Sequence, residues 1–204
     1  MSPAKRESGL SERLQTIVDE MNDDRFMLME YLGPVVDGCR AAFQMDVESA
    51  RKLDKISEHE FHDFLDTAGG SFQDVAFCVT TPDGNPQFAV RFEEGEACLN
   101  QGCGREAVVI SAPEDVLVEI FDIDSRFSPL EVLGEELALQ GSDACEVAEA
   151  LGFLSFPTLL RMARSGIDPS SLMAENADSV IMATASDLVT KLLRRWIDLQ
   201  MESK

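Results

Sequence analysis

The sequence has little positive charge for its length. Its 204 residues include 17 Lys and Arg against 38 Asp and Glu, which gives a formal net charge of −21. Because nucleic-acid binding depends largely on cationic contacts with phosphates, this balance argues against DNA or RNA as a partner. It also argues against stable attachment to an anionic bilayer. Solubility alone is a sufficient reason for such a charge, so the charge indicates no function by itself.

Long hydrophobic runs are also lacking. The apolar stretch at residues 75–79 is short, whereas a membrane-spanning helix requires roughly 18 or more apolar residues. Residues 1–7 are mostly polar and lack the apolar core that a signal peptide carries. We therefore expect a cytoplasmic protein with no spanning segment.

The cysteines are few and irregularly spaced. They are Cys39, Cys78, Cys98, Cys103 and Cys145. An odd number without a regular spacing, in a protein expected in a reducing compartment, predicts that disulfides are absent. Cys98 and Cys103 are separated by four residues and no second pair accompanies them, whereas a zinc site requires two more soft ligands nearby. We therefore predict no metal site at these two residues.

Histidine occurs only at His59 and His62, inside an acidic run that continues to Asp66. Residues three apart share one helix face, so the pair could form half of a metal site. The spacing of zinc proteases, with three residues between the histidines, is absent. An exposed acidic helix explains the run equally well, and we assign no metal to it.

No catalytic motif is apparent. The sequence contains no Gly-x-Ser-x-Gly nucleophile motif, and no histidine elsewhere to act as a distant base. The triplet Gly102-Cys103-Gly104 is too short for a phosphate-binding loop and lacks the helix that should follow one. We therefore predict that the protein is not an enzyme and requires no cofactor.

Apolar residues recur at two different periods along the chain. In the first third the spacing is helical, with an N-cap at Ser11, a break at residues 22–24 and a further helix over residues 47–66. The period then becomes two, which is typical of strands, at residues 75–80 and 88–92. Residues 97–100 are expected to form a short third strand, and the continuous apolar run at residues 107–110 indicates a fourth. Two short helices follow, the first with Ser111 as a possible cap, before a fifth strand at residues 137–139.

This order predicts an α+β fold in which helices cover a five-stranded sheet, made of a four-strand meander plus a fifth strand after two helices. Beyond the sheet, Asp143 is expected to cap one helix, Pro157 to begin another, and the last helix to cover residues 179–201. The chain is accordingly divided into an N-terminal helical extension packed on the core, a central domain and a C-terminal helical extension, at residues 1–72, 73–155 and 156–204.

Residues 75–152 resemble the sterol carrier protein type 2 family in the order of their elements. A strand at residues 87–92 leads into Glu94-Gly95-Glu96, and residues 107–117 look like the family's buried strand entering its helix with serine, acidic and leucine positions. Residues 133–143 look like the strand with a closing glycine that precedes the family's last helix. Residues 122–125 depart from the pattern, because the family usually has a glycine between its two helices.

The resemblance implies a sheet with helices on one face and an apolar tunnel between them for a fatty acid, an acyl chain or a sterol. Lipid pockets need apolar walls with few polar groups. The side chains expected to line the tunnel are Phe77, Phe88, Val90, Leu117, Ile120, Phe121, Phe127, Leu130 and Leu133.

Two other functions remain open from the sequence. The same apolar residues are equally compatible with a filled core, in a structural module that binds a protein partner or a second copy through its outer helices. The remaining alternative is a metal protein or an enzyme that uses the helix with His59 and His62.

Overall fold

The computed structural model describes residues 3–25, 27–44, 70–106, 108–141, 143–165 and 177–202. Within these ranges the chain forms six α-helices and one π-helical segment, Met27–Leu32, which runs directly into the second α-helix. The α-helices are α1 Pro3–Asp23, α2 Gly33–Gln44, α3 Glu114–Ile120, α4 Pro129–Val132, α5 Ala144–Arg164 and α6 Ala177–Glu202.

Five strands form a single mixed sheet in the order β3-β2-β1-β4-β5. β1 pairs antiparallel with β2 and parallel with β4, while β3 and β5 form the two edges and pair antiparallel with β2 and β4. The predicted α+β fold with a five-stranded sheet is confirmed. The strands are β1 Asp74–Thr80, β2 Gln87–Glu93, β3 Glu96–Gln101, β4 Val108–Ser111 and β5 Ala138–Gly141.

Only the first three strands form a meander. β4 lies beside β1 at the centre of the sheet, where Phe77 is opposite Val108 and Val79 is opposite Ile110. For β4 to pair in parallel with β1, the chain must return across the sheet after β3. Residues 102–106, which we call the crossing segment, carry it from β3 towards β4. The alternating pattern locates strands but does not specify which strands are neighbours. The position of β4 beside β1 was therefore not predictable from this pattern.

The register separates the sheet into an apolar face and a face of small and polar residues. Phe77 on β1 is opposite Val90 on β2 and Val108 on β4, and all three side chains are fully buried. On the alternate positions, Cys78 is opposite Ala89, and Ala76, Arg91 and Cys98 lie in register with one another. The helices cover the apolar face, since Phe153 of α5 stacks on Phe77.

The apolar core extends well beyond the sheet. Buried side chains from α1, α2 and α6 belong to the same continuous cluster as those of the strands; they include Leu10, Leu14, Ile17, Val36, Ala185 and Leu192. α5 runs without interruption across residue 155, where the sequence-based division placed a boundary. The three-part division of the chain stays a prediction.

Helix α5 contains a proline that the sequence placed at a helix start. Pro157 lies inside α5 and not at the beginning of a new helix, so that prediction was wrong. A proline in a helix interior costs about 3 kcal/mol because it lacks the N–H that bonds to the previous turn. Leu154, Phe156 and Leu159 around it are all completely buried, and this packing offsets the cost.

Helix caps agree with the sequence at Asp143 and differ from it at Ser11 and Ser111. α1 begins at Pro3, so Ser11 lies inside that helix and the predicted N-cap there was wrong. Asp143 accepts a hydrogen bond from the Cys145 N–H, as an N-cap residue does. Ser128 likewise accepts from the Leu130 N–H at the start of α4. Ser111, a possible cap in the sequence, is instead the last residue of β4, and Pro113 occupies the N-cap position of α3 without a side-chain hydrogen bond.

The edge strand β3 is paired with a side chain from α1. The Asn22 amide donates to the Ala97 carbonyl and accepts from the Ala97 N–H, both at 2.9 Å. The Asn22 side chain therefore makes the same two hydrogen bonds to Ala97 that the backbone of a neighbouring strand would make at this edge. This contact joins the end of α1 to the sheet.

Candidate functional site

The nine residues predicted to line a tunnel lie on one side of the sheet. Seven of them belong to the buried core, namely Phe77, Phe88, Val90, Leu117, Ile120, Phe121 and Leu133. Phe127 and Leu130 are partly buried and pack against that core. We call these nine residues the apolar layer. It contains the inner side chains of β1 and β2, with those of α3 and the α4 region above them.

A phenylalanine from α5 fills part of the space within the apolar layer. The ring centroid of Phe153 lies 5.4 Å from that of Phe77 and 5.3 Å from that of Phe121. These separations are typical of directly packed aromatic pairs. Between β1 and α3 the layer is therefore closed by Phe153. Sequence reasoning missed this residue because it falls between the helix expected after Asp143 and the helix expected to begin at Pro157.

The apolar layer is less covered where α4 meets α6. Five partly buried apolar side chains of the α4 region and of α6 pack against the core, and we call them the α4–α6 rim: Phe127, Leu130, Leu193, Trp196 and Leu199. Two contacts hold α6 on the turn after α4. Arg195 donates from Nε to the Leu133 carbonyl at 3.3 Å, and Leu199 lies so close to Gly134 that a Cβ there would be 2.5 Å from its Cδ1.

The indole N–H of Trp196 has no hydrogen-bond partner within the described part of the chain, although its nitrogen is buried. Trp196 packs against the apolar core and is itself only partly buried. A buried indole N–H normally finds a partner. The α4–α6 rim thus combines apolar side chains with one unused donor.

An ionic cluster around the buried Glu149 lies between α2 and α5. The Glu149 carboxylate accepts the Phe72 N–H at 3.2 Å and lies 3.3 Å from the Arg40 Nε. Asp37 accepts the N–H and the hydroxyl of Ser71 at 3.0 and 2.5 Å. Burial raises the pKa of Glu149 above its ordinary value, and this outweighs the Phe72 hydrogen bond and the Arg40 charge, which lower it. The cluster ties the chain before β1 to both helices.

The opposite face of the sheet carries a disulfide. Cys78 on β1 is bonded to Cys103 in the crossing segment, so the prediction that disulfides are absent was wrong. The spacing along the chain gave no indication, because the two residues meet only when the crossing segment passes over β1. Disulfides are characteristic of oxidising compartments, and the cytoplasmic assignment stays a prediction.

The crossing segment is also held by an ion pair. Glu106, whose side chain is 2 % exposed, lies 2.9 Å from Arg91 on β2. Burial acts to raise the pKa of Glu106, but the hydrogen bonds from Arg91 and the backbone lower it overall. An open depression of about 370 Å³ beside this pair also contains Asp74, Glu93 and Arg105. Its charged lining is unsuited to an apolar ligand, and it includes no residue of the apolar layer.

Neither a metal-ligating cluster nor a membrane-spanning helix is present in the described ranges. There, no group of three or more His, Cys, Asp or Glu residues is arranged to hold a metal ion. His59 and His62 lie outside those ranges, so the metal hypothesis for them stays a prediction. In the same ranges, no helix has the length and apolar character needed to cross a bilayer.

Comparison of the chain with profiles of known protein families, with characterised proteins and with solved structures gives no match.

Proposed function

We propose that the protein binds a lipid-like ligand, such as a fatty acid, an acyl chain or a sterol, between the sheet and its helices, as a carrier or sensor. The observation that carries this proposal is that the nine residues of the apolar layer, chosen from the sequence, all belong to or pack against one core on the helix-covered face of the sheet. Such walls, with few polar groups, suit an apolar ligand. The resemblance to sterol carrier proteins also implies a ligand site between the sheet and the helices.

The α4–α6 rim is the expected entrance. Phe153 occupies the region between Phe77 and Phe121, so the ligand is expected on the other side, near Leu130 and Phe127. The partly buried rim side chains still expose apolar surface to water. Covering that surface with a lipid chain gains roughly 25 cal/mol per Å² of apolar area removed from water.

The test is ligand-dependent stability of the delipidated protein. A ligand at about 100 times its Kd adds about 2.7 kcal/mol to the free energy of unfolding. For a chain of this size that corresponds to a rise in Tm of roughly 5 to 10 °C. We expect this rise with palmitate or cholesterol in a thermal melt, and the bound lipid in native mass spectrometry of the protein as purified.

Acetate at the same concentration is the control, because it has the carboxylate of palmitate without the chain. A flat Tm across fatty acids, acyl esters and sterols, together with a ligand-free native mass spectrum, would reject lipid binding.

A second candidate function is a non-catalytic interaction module with a filled core. The contacts of Phe153 with Phe77 and Phe121 favour it, because they leave no gap between β1 and α3. In that case the outer helices bind a protein partner or a second copy of the chain. Light scattering that shows a stable dimer, combined with no lipid-dependent change in Tm, would support this candidate over the first.

A further inference from the structure

The disulfide attaches the middle of the crossing segment to the sheet. Cys103 lies on the segment, and its partner Cys78 lies on β1 with 4 % of its surface exposed. The two ends of the segment are held by non-covalent contacts: the Gly102 N–H donates to a carbonyl of β2 at 2.8 Å, and Glu106 forms the ion pair described above. The disulfide is therefore the covalent part of this attachment, and it can be broken by chemistry alone.

The crossing segment is loosely packed around Cys103. Gly102, Gly104 and Arg105 are exposed, and a Cβ at Gly102 would meet nothing within 4 Å. The glycines on either side of Cys103 also widen the range of backbone conformations open to the segment. Segments with few buried contacts open at low cost in free energy. Once the disulfide is broken, the segment can therefore move without rearrangement of its neighbours.

The apolar core lies on the other face of the sheet. Within the described ranges, neither cysteine of the disulfide belongs to the continuous apolar cluster. The neighbours of Cys78 on β1, Phe77 and Val79, do belong to it and are completely buried. Breaking the disulfide thus leaves β1 attached to the core through its opposite side.

We propose that the disulfide between Cys78 and Cys103 is a reversible redox switch. A dithiol reductant opens it in the folded protein, and the crossing segment then moves away from β1 and uncovers the outer face of the sheet. The uncovered surface includes Cys78 and Ala89, which are both buried while the disulfide is closed. Disulfides in a reducing compartment are usually transient and redox-sensing, so the switch is consistent with the location predicted from the sequence. It does not depend on lipid binding.

The reaction is a thiol–disulfide exchange. One thiolate of the dithiol attacks the Sγ of Cys103, the more exposed partner, and forms a mixed disulfide. The bond to Cys78 breaks, and Cys78 leaves as a thiolate that takes up a proton. The second thiol of the reductant then attacks the reductant's own sulfur in the mixed disulfide, which releases Cys103 and closes the reductant to a disulfide. Two electrons pass to the protein, and a disulfide oxidant such as oxidised glutathione reverses the exchange.

The movement is measured by alkylation of the full-length wild-type protein. The protein is reduced with dithiothreitol under native conditions, the reductant is removed, and the rate of labelling by iodoacetamide is followed at each cysteine by mass spectrometry. We expect Cys78 to react within about tenfold of the rate at Cys98, which is partly exposed on the same face. Slower labelling of Cys78 would show that the segment stays in place, and would overturn the proposal.

Cys39 and Cys145 lie on the helices and report on the core in the same experiment. Their labelling rates should be the same before and after reduction, because the helix-covered face is not disturbed. A rise at these two residues would show that reduction unfolds the protein, and the disulfide would then be a structural bond and not a switch.

The second measurement is the rate at which dithiothreitol reduces the disulfide. We expect the rate in native buffer to lie within about a hundredfold of the rate in concentrated urea, because access to Cys103 requires no unfolding. A larger difference would show that the bond opens only in the unfolded chain, which contradicts the proposal. A purified protein that oxidised glutathione cannot convert to the disulfide form would contradict it as well.

The variant Cys103→Ser removes the bond permanently. We expect Cys78 in this variant to be labelled without reductant at the rate found in the reduced wild type. Cys98→Ser is the matched control, because it removes a thiol from the same face but leaves the disulfide intact, and labelling of Cys78 should still require reduction. Protection of Cys78 in Cys103→Ser would show that the disulfide is not what holds the segment in place.

Discussion

The carboxyl group of Glu149 shows how a single buried charge makes stability depend on pH. Its side chain lies between α2 and α5 at 7 % exposure, and burial raises its pKa. The folded protein therefore binds this proton more tightly than the unfolded chain does. The resulting stabilisation is fully present below the unfolded pKa and is lost as the pH rises through the folded pKa.

We predict that Glu149→Gln becomes more favourable relative to wild type as the pH rises. Gln keeps an acceptor for the Phe72 N–H and cannot ionise, so it avoids the cost of a buried carboxylate; each unit of pKa shift corresponds to about 1.4 kcal/mol. The measurement is the difference in Tm between variant and wild type from about pH 4 to about pH 8. Glu136→Gln, at an exposed position, corrects for the loss of one charge. Parallel curves for wild type and Glu149→Gln would contradict the prediction.

Gly152 of α5 is required by close packing. A Cβ at this position would lie 2.6 Å from Val36 and 2.9 Å from Phe72, both fully buried. We predict that Gly152→Ala lowers the free energy of unfolding by about 1 to 3 kcal/mol, as overpacked cores do, measured by urea denaturation.

The control for Gly152→Ala is Gly38→Ala in α2, where a Cβ meets nothing within 4 Å. There alanine should be neutral or stabilise by about 0.4 to 1 kcal/mol, since it restricts the unfolded chain. Equal losses in both variants would show that crowding does not determine the effect at Gly152.

At the scale of elements, the crossing segment is the connection that fixes the central strands. It carries the chain across the face opposite the helices, and both Cys103 and Glu106 attach it to the sheet, to β1 and β2 respectively. A cross-link stabilises mainly by restricting the unfolded chain, in proportion to the logarithm of the loop that it closes.

We predict that removal of the disulfide destabilises the protein substantially. Cys78 and Cys103 are 25 positions apart in sequence, and a loop of this size corresponds to a loss of about 3.5 kcal/mol. The variant is Cys78→Ser with Cys103→Ser, measured by denaturation with and without a reducing agent. Cys98→Ser, on the same face but outside the disulfide, should change the free energy of unfolding little. A wild-type protein that is insensitive to reduction would contradict the prediction.

Local elements were predictable where a single physical cause determines them. Apolar patterns and turns located all five strands within about two residues, and the side-chain oxygen of Asp143 identified one helix start. Features that depend on distant residues were not predictable. The parallel pairing of β4, the continuation of α5 through Pro157 and the partner of Cys78 are all determined by tertiary packing.

The candidate site was predictable to a similar extent. Alternation and helical spacing selected residues that do share one layer, because the same pattern determines which side of an element is buried. The pattern does not give the depth of the layer. Phe153, which closes part of it, and Trp196, with its unpaired N–H, became apparent only from their neighbours in space.

At the scale of the whole molecule, the net charge of −21 opposes the compact state. Salt screens this repulsion, with a Debye length of about 10 Å at 0.1 M. Salt also weakens partly exposed ion pairs such as Arg13 with Asp122 and Arg164 with Glu20, but each exposed pair contributes only about 0 to 1 kcal/mol. The repulsion among the excess of carboxylates is therefore expected to dominate.

We predict that the Tm rises by several degrees when sodium chloride is increased from about 10 mM to about 300 mM. Differential scanning calorimetry at neutral pH measures this change. Glucose at matched osmolality is the control, because it leaves charge interactions unscreened. A Tm that falls with salt would show that ion pairs outweigh the general repulsion.

The paired hydrogen bonds between Asn22 and Ala97 have a consequence for self-association. An uncovered edge strand is a template on which the strand of another molecule can add, and here the amide of α1 occupies both backbone groups of Ala97. Detachment of α1 would open β3 to a neighbouring chain long before the rest of the sheet unfolds. α1 therefore blocks strand addition at Ala97, and loss of this helix is expected to promote association through β3.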